Sequence, residues 1–337
     1  MNRKISAVLP LIFLVLYGCS QKEDFIRITG SAQGSTYSII CRKQAGLTLE
    51  KVSENVSRIL TAIDNSLSVY NDSSLISQIN RNEDVKPDRY FMEVFNLSRE
   101  ISELTEGAFD ITVGPLVKAW GFGPDSRKNI DPAKLDSLMQ YVGFNKVRIA
   151  EGRLVKDNPC VVLDVNAIAQ GYTADVIGRF FDSLGVSNYL IEVGGEVLVK
   201  GTKAGNPWRI GIDRPFDNNL TPGADLKAII KLTDRSLATS GNYRKFYEEE
   251  GVKYSHTIDP VTGIPARNRL LSATIIAREC AVADAVATAC MVMGLEKSVD
   301  FILTHPEFEA YIIYSGSSGN YESWISESLN ARIKEEN

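Results

Sequence analysis

The chain has two histidines, so chemistry that needs a base near neutral pH has His256 or His305 to draw on. A catalytic zinc site recruits several His or Cys ligands, and this chain cannot supply them at suitable spacing. His305 stands before Pro306 at the end of a helical pattern, the place of a solvated structural residue. His256 lies in Ser255-His256-Thr257-Ile258-Asp259-Pro260, where a strand runs into a Pro/Gly turn. Strand ends project side chains into clefts, and a partly buried, hydrogen-bonded histidine fits the same position.

A second constellation is Ala283-Asp284-Ala285-Val286-Ala287-Thr288. Asp284 and Thr288 are four apart on an expected helix, so their oxygens share one face. The small and apolar residues around them should bury both, and a buried carboxylate is costly unless it is paired or bound to a cation. Two hard oxygen donors suit Mg²⁺, which takes few protein ligands and completes its shell with water and phosphate oxygens. A carboxylate that caps a helix or pairs with an arginine fits the spacing equally well.

The third is Leu163-Asp164-Val165-Asn166-Ala167-Ile168-Ala169-Gln170-Gly171-Tyr172. Here a strand should deliver Asp164 to the start of a helix, a junction where backbone groups and a carboxylate meet ligands. Asp before a helix is also an ordinary cap. Gly194-Gly195 either admits a ligand to the backbone or makes a hairpin turn. No GxGxxG or P-loop fingerprint is present, and no GxSxG elbow. Common dinucleotide, NTPase and serine-hydrolase readings are therefore disfavoured.

The elements that must position these residues follow from periodicity and turn chemistry. Phe25 to Thr29 and Thr36 to Arg42 read as strands around a Gly30…Gly34 turn. Leu49, Val52, Val56, Ile59, Ile63 and Leu67 repeat at helical spacing behind a Thr48 cap. A second helix runs from about Asp88 to Thr105, a third opens at Asp131-Pro132, and a fourth covers Ala167 to Leu184. Strands are expected at Val147 to Ile149, Val161 to Asp164, Tyr189 to Val193, Val197 to Lys200, Trp208 to Ile212, Leu226 to Leu232, Tyr254 to Ile258 and Leu271 to Ala277. Helices at Ala281 to Met293 and Leu295 to Leu303 precede strands near Tyr311 and Tyr321. Strand clusters separated from helices, rather than strict alternation, indicate an α+β fold. No composition shift divides residues 25–337, which read as one compact unit.

Composition narrows the function classes. With 37 Lys+Arg against 42 Asp+Glu the net charge is −5, which argues against a nucleic-acid partner. At 44% hydrophobic residues and 23% charged, the chain is globular rather than disordered. Arg3 and Lys4 precede an apolar run from Ile5 to Tyr17, too short for a lasting membrane span but proportioned as a secretory signal. The run ends in Leu16-Tyr17-Gly18-Cys19 and turns abruptly polar, in the manner of a bacterial lipobox whose cysteine takes a lipid. On that reading residues 1–18 are expected to be a lipoprotein signal peptide, 19–24 a linker anchored at Cys19, and the protein exported, membrane-anchored and periplasm-facing. Tyr17 stands where a lipobox has a small residue, so a plain secretory signal is the alternative. Cys41, Cys160, Cys280 and Cys290 lack CxxC spacing and are too sparse for a disulfide framework, so they read as buried free thiols.

In order along the chain, these segments resemble the ApbE family, the FAD:protein FMN transferases, many of them lipoproteins. The stretches are Gln33-Gly34-Ser35-Thr36-Tyr37, Asp64 to Asn80, Gly107 to Leu116 with Trp120-Gly121-Phe122-Gly123, Asp164 to Asp175, Val193-Gly194-Gly195, Thr239 to Arg244, Ser255 to Gly263 and Ala283 to Thr288. The resemblance covers nearly all of the mature chain. It departs at Gln33, where the family often has Met, at Gln170, often charged, and at Ala287, which lacks a side-chain oxygen.

The resemblance implies a single ApbE-like domain of mixed or antiparallel sheets packed by helices. It implies Mg²⁺-dependent transfer of the FMN half of FAD to a Thr or Ser hydroxyl of a target protein, with release of AMP. FAD contacts would fall on Tyr70, Ala108, Phe109, Asp110, Asp164, Gln170 and the backbone of Thr257, and metal ligands on the Ala167 carbonyl, Asp284 and Thr288. The acceptor would be a Ser/Thr-containing segment of a membrane electron-transfer subunit. His256 then becomes the base that accepts the hydroxyl proton, with Asp259 either orienting it or forming the turn. Two other readings stay open: a Mg²⁺-dependent FAD pyrophosphatase giving FMN and AMP, and a flavin-binding lipoprotein without turnover.

Overall fold

A computed structural model describes residues 24–122, 130–215, 223, 225–242, 246–249, 252–255, 257–318 and 320–336. The signal segment, Cys19 and His256 lie outside the described residues. In chain order the elements are β1 (Phe25–Ala32), β2 (Ser35–Arg42), α1 (Leu49–Leu67), α2 (Leu75–Asn80), α3 (Arg89–Leu104), α4 (Gly114–Trp120), α5 (Pro132–Met139), β3 (Val147–Ala150), β4 (Arg153–Lys156) and α6 (Asn166–Ser183). There follow β5 (Tyr189–Val193), β6 (Glu196–Lys200), β7 (Trp208–Asp213), β8 (Leu226–Leu232), β9 (Arg235–Gly241), β10 (Phe246–Glu249), β11 (Val252–Ser255), β12 (Leu270–Ala277), α7 (Cys280–Met293), α8 (Leu295–Thr304), β13 (Glu309–Ser315), β14 (Tyr321–Ile325) and β15 (Ile333–Glu335).

Eight strands form the central sheet in the order β1-β2-β5-β6-β9-β12-β13-β14, and every neighbouring pair in it is antiparallel. One face packs on helices: Ala273, Ile275 and Ala277 of β12 join the main core with α3, α6 and α7. The other face packs on the small sheet β15-β8-β7, where Ile276, Tyr311 and Ile313 meet Trp208, Ile210, Ile230 and Leu232. β12 is thus buried on both sides, which explains its nearly unbroken apolar run. The architecture is α+β, as expected, with three layers: helices, large sheet, small sheet.

Local chemistry sets the helix starts. Thr48 accepts the Lys51 N–H, Asp88 the Phe91 N–H and Asp131 the Lys134 N–H, each as an N-cap. The chain departs from expectation at several places. α2, α4, β4, β9, β10 and β15 have no counterpart among the expected elements, and the strand expected at Tyr254 to Ile258 ends at Ser255, with Ile258 only bridged to Pro265. The β1–β2 turn is Gln33-Gly34, both at positive φ, while Gly30 lies inside β1 opposite Tyr37. Val161 to Asp164 is not a strand but a connector with one parallel bridge, Val113 to Val162, because the Asn80 amide takes both backbone groups of Leu163. Cys41, Cys280 and Cys290 are buried free thiols, but Cys160 is exposed. Among the described residues no helix is long and apolar enough to cross a membrane.

Candidate functional site

The site is built on the contact between α6 and α7. A Cβ on Gly171 would lie 2.5 Å from the Cys280 carbonyl oxygen and 2.7 Å from its carbon, so only glycine lets the helices approach this closely. Gly171→Ala should force backbone apart rather than a side-chain tip, at a cost of about 1–3 kcal/mol. Urea unfolding of that variant checks this; parental stability would mean that the helices can separate freely here.

The approach delivers Asp284. Its carboxyl is buried at 6% exposure, and Oδ2 accepts the Gly171 N–H at 3.1 Å. In an α-helix that N–H belongs to the carbonyl four residues earlier, Ala167. The carboxylate therefore reaches α6 at Gly171, on the hydrogen-bonded turn that the Ala167 carbonyl begins. Thr288 stands one turn further along α7, half-buried, its Oγ1 3.1 Å from Ser240 Oγ on β9. Burial pushes the Asp284 carboxyl up to about 7, and the charge of Asp175 adds to the rise. Among the described residues no Lys, Arg or His is paired with Asp284. None of them form a cluster of three or more His, Cys, Asp or Glu able to hold a metal. The donor set is one carboxylate, one hydroxyl and one carbonyl: hard oxygens, with a buried charge that no cationic side chain among the described residues offsets. That set fits Mg²⁺ completed by water or phosphate oxygens and does not fit a softer metal.

A second group gathers just before α6. The Asp164 N–H donates to the Ile111 carbonyl at 2.7 Å, and its Oδ1 accepts the Asn166 N–H at 2.9 Å. Burial raises the Asp164 carboxyl above its ordinary range, against the Asn166 hydrogen bonds. Tyr70 is 61% exposed; partial burial of its hydroxyl and the Asp164 charge raise its pKa, opposed by a hydrogen bond with Asn166. Tyr70 and Asp164 are therefore neighbours through Asn166, and the Ile111 carbonyl joins Asp164 to the run Ala108-Phe109-Asp110. Ala108 and Phe109 pack in the main core. The Asp110 carboxylate accepts from the Thr112 N–H at 2.8 Å and hydroxyl at 2.7 Å, and burial raises it.

Two tight turns close the other side. Gly194 N–H donates to the Thr36 carbonyl at 2.9 Å, so the β5–β6 turn Gly194-Gly195 lies beside the β1–β2 turn. Both Gly194 and Gly195 have positive φ, and a Cβ on Gly194 would collide with the Gln170 amide. This pair is at once a hairpin turn and a point of close approach. Gln170 Nε2 donates weakly to the Gln33 carbonyl at 3.4 Å, and Gln33 Nε2 donates to Thr173 Oγ1 at 2.7 Å. Gln33 Oε1 is buried without a partner among the described residues.

Thr257 is buried, and its carbonyl accepts the Ala266 N–H at 2.8 Å. The Asp259 carboxylate accepts from the Val261 N–H and the Thr262 hydroxyl, each at 2.8 Å: it is the turn former. Trp120 Nε1 donates to the Gly263 carbonyl at 2.8 Å, fixing this turn to α4. α4 itself begins against the Val162 carbonyl, two residues before Asp164.

The fold thus brings Ala167, Gln170, Asp284 and Thr288 to one end of α6 and places Asp164 and Tyr70 at its entrance. Ala108 and Phe109 lie inward of that entrance as core residues. Sequence reading gave no role to Gly171, Asp175, Ser240 or Asn80, although each falls in a quoted stretch. A glycine inside an otherwise good helix was the available signal for Gly171.

Comparison with known proteins places this geometry among relatives. The model of the family described as the ApbE family matches residues 33–312. The FAD:protein FMN transferase of Vibrio cholerae serotype O1 is 36% identical over 293 residues, covering 85% of this chain and 86% of the relative. That of Haemophilus influenzae is 31% identical over 333 residues, 95% of each chain. The solved flavin transferase ApbE from Vibrio cholerae superposes with a TM-score of 0.82 at 32% identity, over 92% of this chain and 99% of that one.

Proposed function

We infer the activity from one premise, that this chain belongs to the ApbE family: it is an FAD:protein FMN transferase. In the finer reading, a Ser or Thr hydroxyl of the acceptor attacks the FMN-side phosphorus of FAD. The bond to the AMP-side bridging oxygen breaks, AMP leaves, and the hydroxyl proton passes to His256, an imidazole able to take it near neutral pH.

The observation that carries the finer reading is the Asp284 carboxylate, buried against Gly171 of α6 without a cationic partner among the described residues. Such a charge is costly unless a cation meets it. Asp284, Thr288 and the Ala167 carbonyl would hold Mg²⁺. When bound, that ion would neutralise diphosphate charge, the main demand of phosphoryl transfer. The chain's own residues do the rest. Tyr70 and Asp164 line the flavin entrance, and Gln170 and Gln33 supply neutral amides between the two turns. Ala108, Phe109, Asp110 and the Thr257 backbone support the entrance from behind. Cys19 would carry the lipid that anchors the exported protein to a membrane, where a membrane electron-transfer subunit with a Ser/Thr segment is the acceptor that suits it.

The test is incubation of residues 20–337 with FAD, Mg²⁺ and an acceptor fragment bearing such a segment, read by intact-mass spectrometry with AMP and FMN quantified. The expected result is an acceptor heavier by one FMN, one AMP per modified acceptor and little free FMN. Free FMN with AMP beside an unmodified acceptor would point to a pyrophosphatase, and FAD recovered whole to a binding protein. Intact mass of the full-length protein recovered from membranes reads the Cys19 lipid as added mass.

A further inference from the structure

The two buried carboxylates of the α6–α7 contact are held reciprocally. Asp175 on α6 accepts the N–H of Cys280 through Oδ1 and that of Ala281 through Oδ2, both at 2.9 Å. Asp284 on α7 accepts the N–H of Gly171 on α6 at 3.1 Å. The partners are four residues apart on each helix, 171 to 175 and 280 to 284, so the paired contacts occupy one face of each. α7 has a cap position of its own, Glu279, in extended backbone, yet the Glu279 side chain makes no cap hydrogen bond and is exposed.

A Ser, Thr or Asp at position 279 would satisfy the first N–H groups of α7 locally, at no cost in buried charge. The chain instead uses a carboxylate at 8% exposure, reaching from 105 residues earlier in the sequence. Burial raises that carboxyl to about 7 in spite of the two N–H bonds. A local cap would stabilise α7 but would not tie it to α6. The tie from Asp175 joins the first turn of α7 to α6 one helical turn from the Gly171–Asp284 contact.

We propose that Asp175 is a positioning residue for the cation site: it tethers the first turn of α7 to α6 and so holds Asp284 where it meets Gly171 of α6. This rests on the reading of Asp284, Thr288 and the Ala167 carbonyl as Mg²⁺ ligands.

The experiment titrates Mg²⁺ calorimetrically into FAD-free protein, with urea unfolding in parallel. The chains compared are the parent, Asp284→Asn, Asp175→Asn, Asp175→Ala, and Asp175→Ala combined with Glu279→Ser. The parent should bind one Mg²⁺, and Asp284→Asn should lose it. Asp175→Asn should bind Mg²⁺ roughly 10–100-fold more weakly, the scale set by groups that orient metal ligands. In the double variant the local serine cap should restore the urea midpoint that Asp175→Ala loses, while Mg²⁺ affinity stays low. The Mg²⁺ concentration for half-maximal turnover should rise by the same factor, with the KM for FAD changed less than about twofold.

Mg²⁺ affinity within twofold of the parent in folded Asp175→Asn overturns the proposal. So does affinity that recovers together with stability in the double variant, since Asp175 is then a cap and nothing more. If Asp175→Asn does not fold, the double variant alone decides. Absence of saturable Mg²⁺ binding in the parent, or unchanged binding in Asp284→Asn, brings down the cation assignment and the tether with it. That failure is thereby distinguished from failure of the tether alone.

Discussion

His256→Ala is expected to lose roughly 10²–10⁴-fold in transfer rate, the usual contribution of a positioned general base, while FAD binds about as tightly as to the parent. Elimination carries much of the argument. Of the two histidines, His305 is committed elsewhere: its Nδ1 lies 2.8 Å from the Phe301 carbonyl, and its ring stacks on Phe301 with centroids 4.3 Å apart. The Asp259 carboxylate holds the turn to Gly263, accepting from the Val261 N–H and the Thr262 hydroxyl. His256 follows β11 directly and precedes the buried Thr257, whose turn Trp120 fastens to α4. Single-turnover AMP release with acceptor mass, beside FAD binding by flavin fluorescence, makes the measurement. A variant that transfers at the parental rate would sink the assignment; one that loses FAD binding in proportion would recast His256 as a binding residue.

The second large effect belongs to Asp284. Asp284→Asn keeps the shape and an acceptor for the Gly171 N–H but removes the charge. If the carboxylate holds the cation, several kcal/mol of transition-state stabilisation go with it. At 1.36 kcal/mol per factor of ten, activity falls by about 10³-fold or more, and added Mg²⁺ does not restore it. Stability should move the other way. In chelator the variant is expected to be at least as stable as the parent, because the substitution removes a desolvated charge that no cationic side chain among the described residues offsets. Loss of function with no loss of stability marks a residue kept for chemistry. A variant that loses stability yet keeps its Mg²⁺ titration would instead make Asp284 a structural residue.

Much of the fold was legible because its signals are local. Thr48, Asp88 and Asp131-Pro132 each open a helix within one residue of the expected place, since a cap and the N–H it satisfies lie within a few residues. The strand β9, Arg235–Gly241, carried no such signal. Its sequence RSLATSG is small and polar, and it is a strand because β6 and β12 pair with it from both sides. The connector Val161 to Asp164 errs the other way. Its apolar pattern reads as a strand, but Asn80 takes both backbone groups of Leu163, and the Val161 and Asp164 N–H groups go to the Asn158 and Ile111 carbonyls rather than to a ladder.

For the site the division is similar. By itself the sequence named the candidates for chemistry: a histidine at a strand end, an Asp and a Thr one helical turn apart, an Asp at a helix entrance, and paired glycines at turns. Helical and strand periodicity fix the face on which a residue lies, and that suffices to pair Asp284 with Thr288. Periodicity carries no information about which distant element covers that face. Only the tertiary structure decided that α6 and α7 touch at Gly171, that Asp284 accepts the Gly171 N–H, and that Ser240 reaches Thr288 from β9. These contacts join residues from 48 to 113 positions apart. They form because the small residues of α6 and α7 can be buried together against one sheet, a property of the whole core rather than of any segment in it.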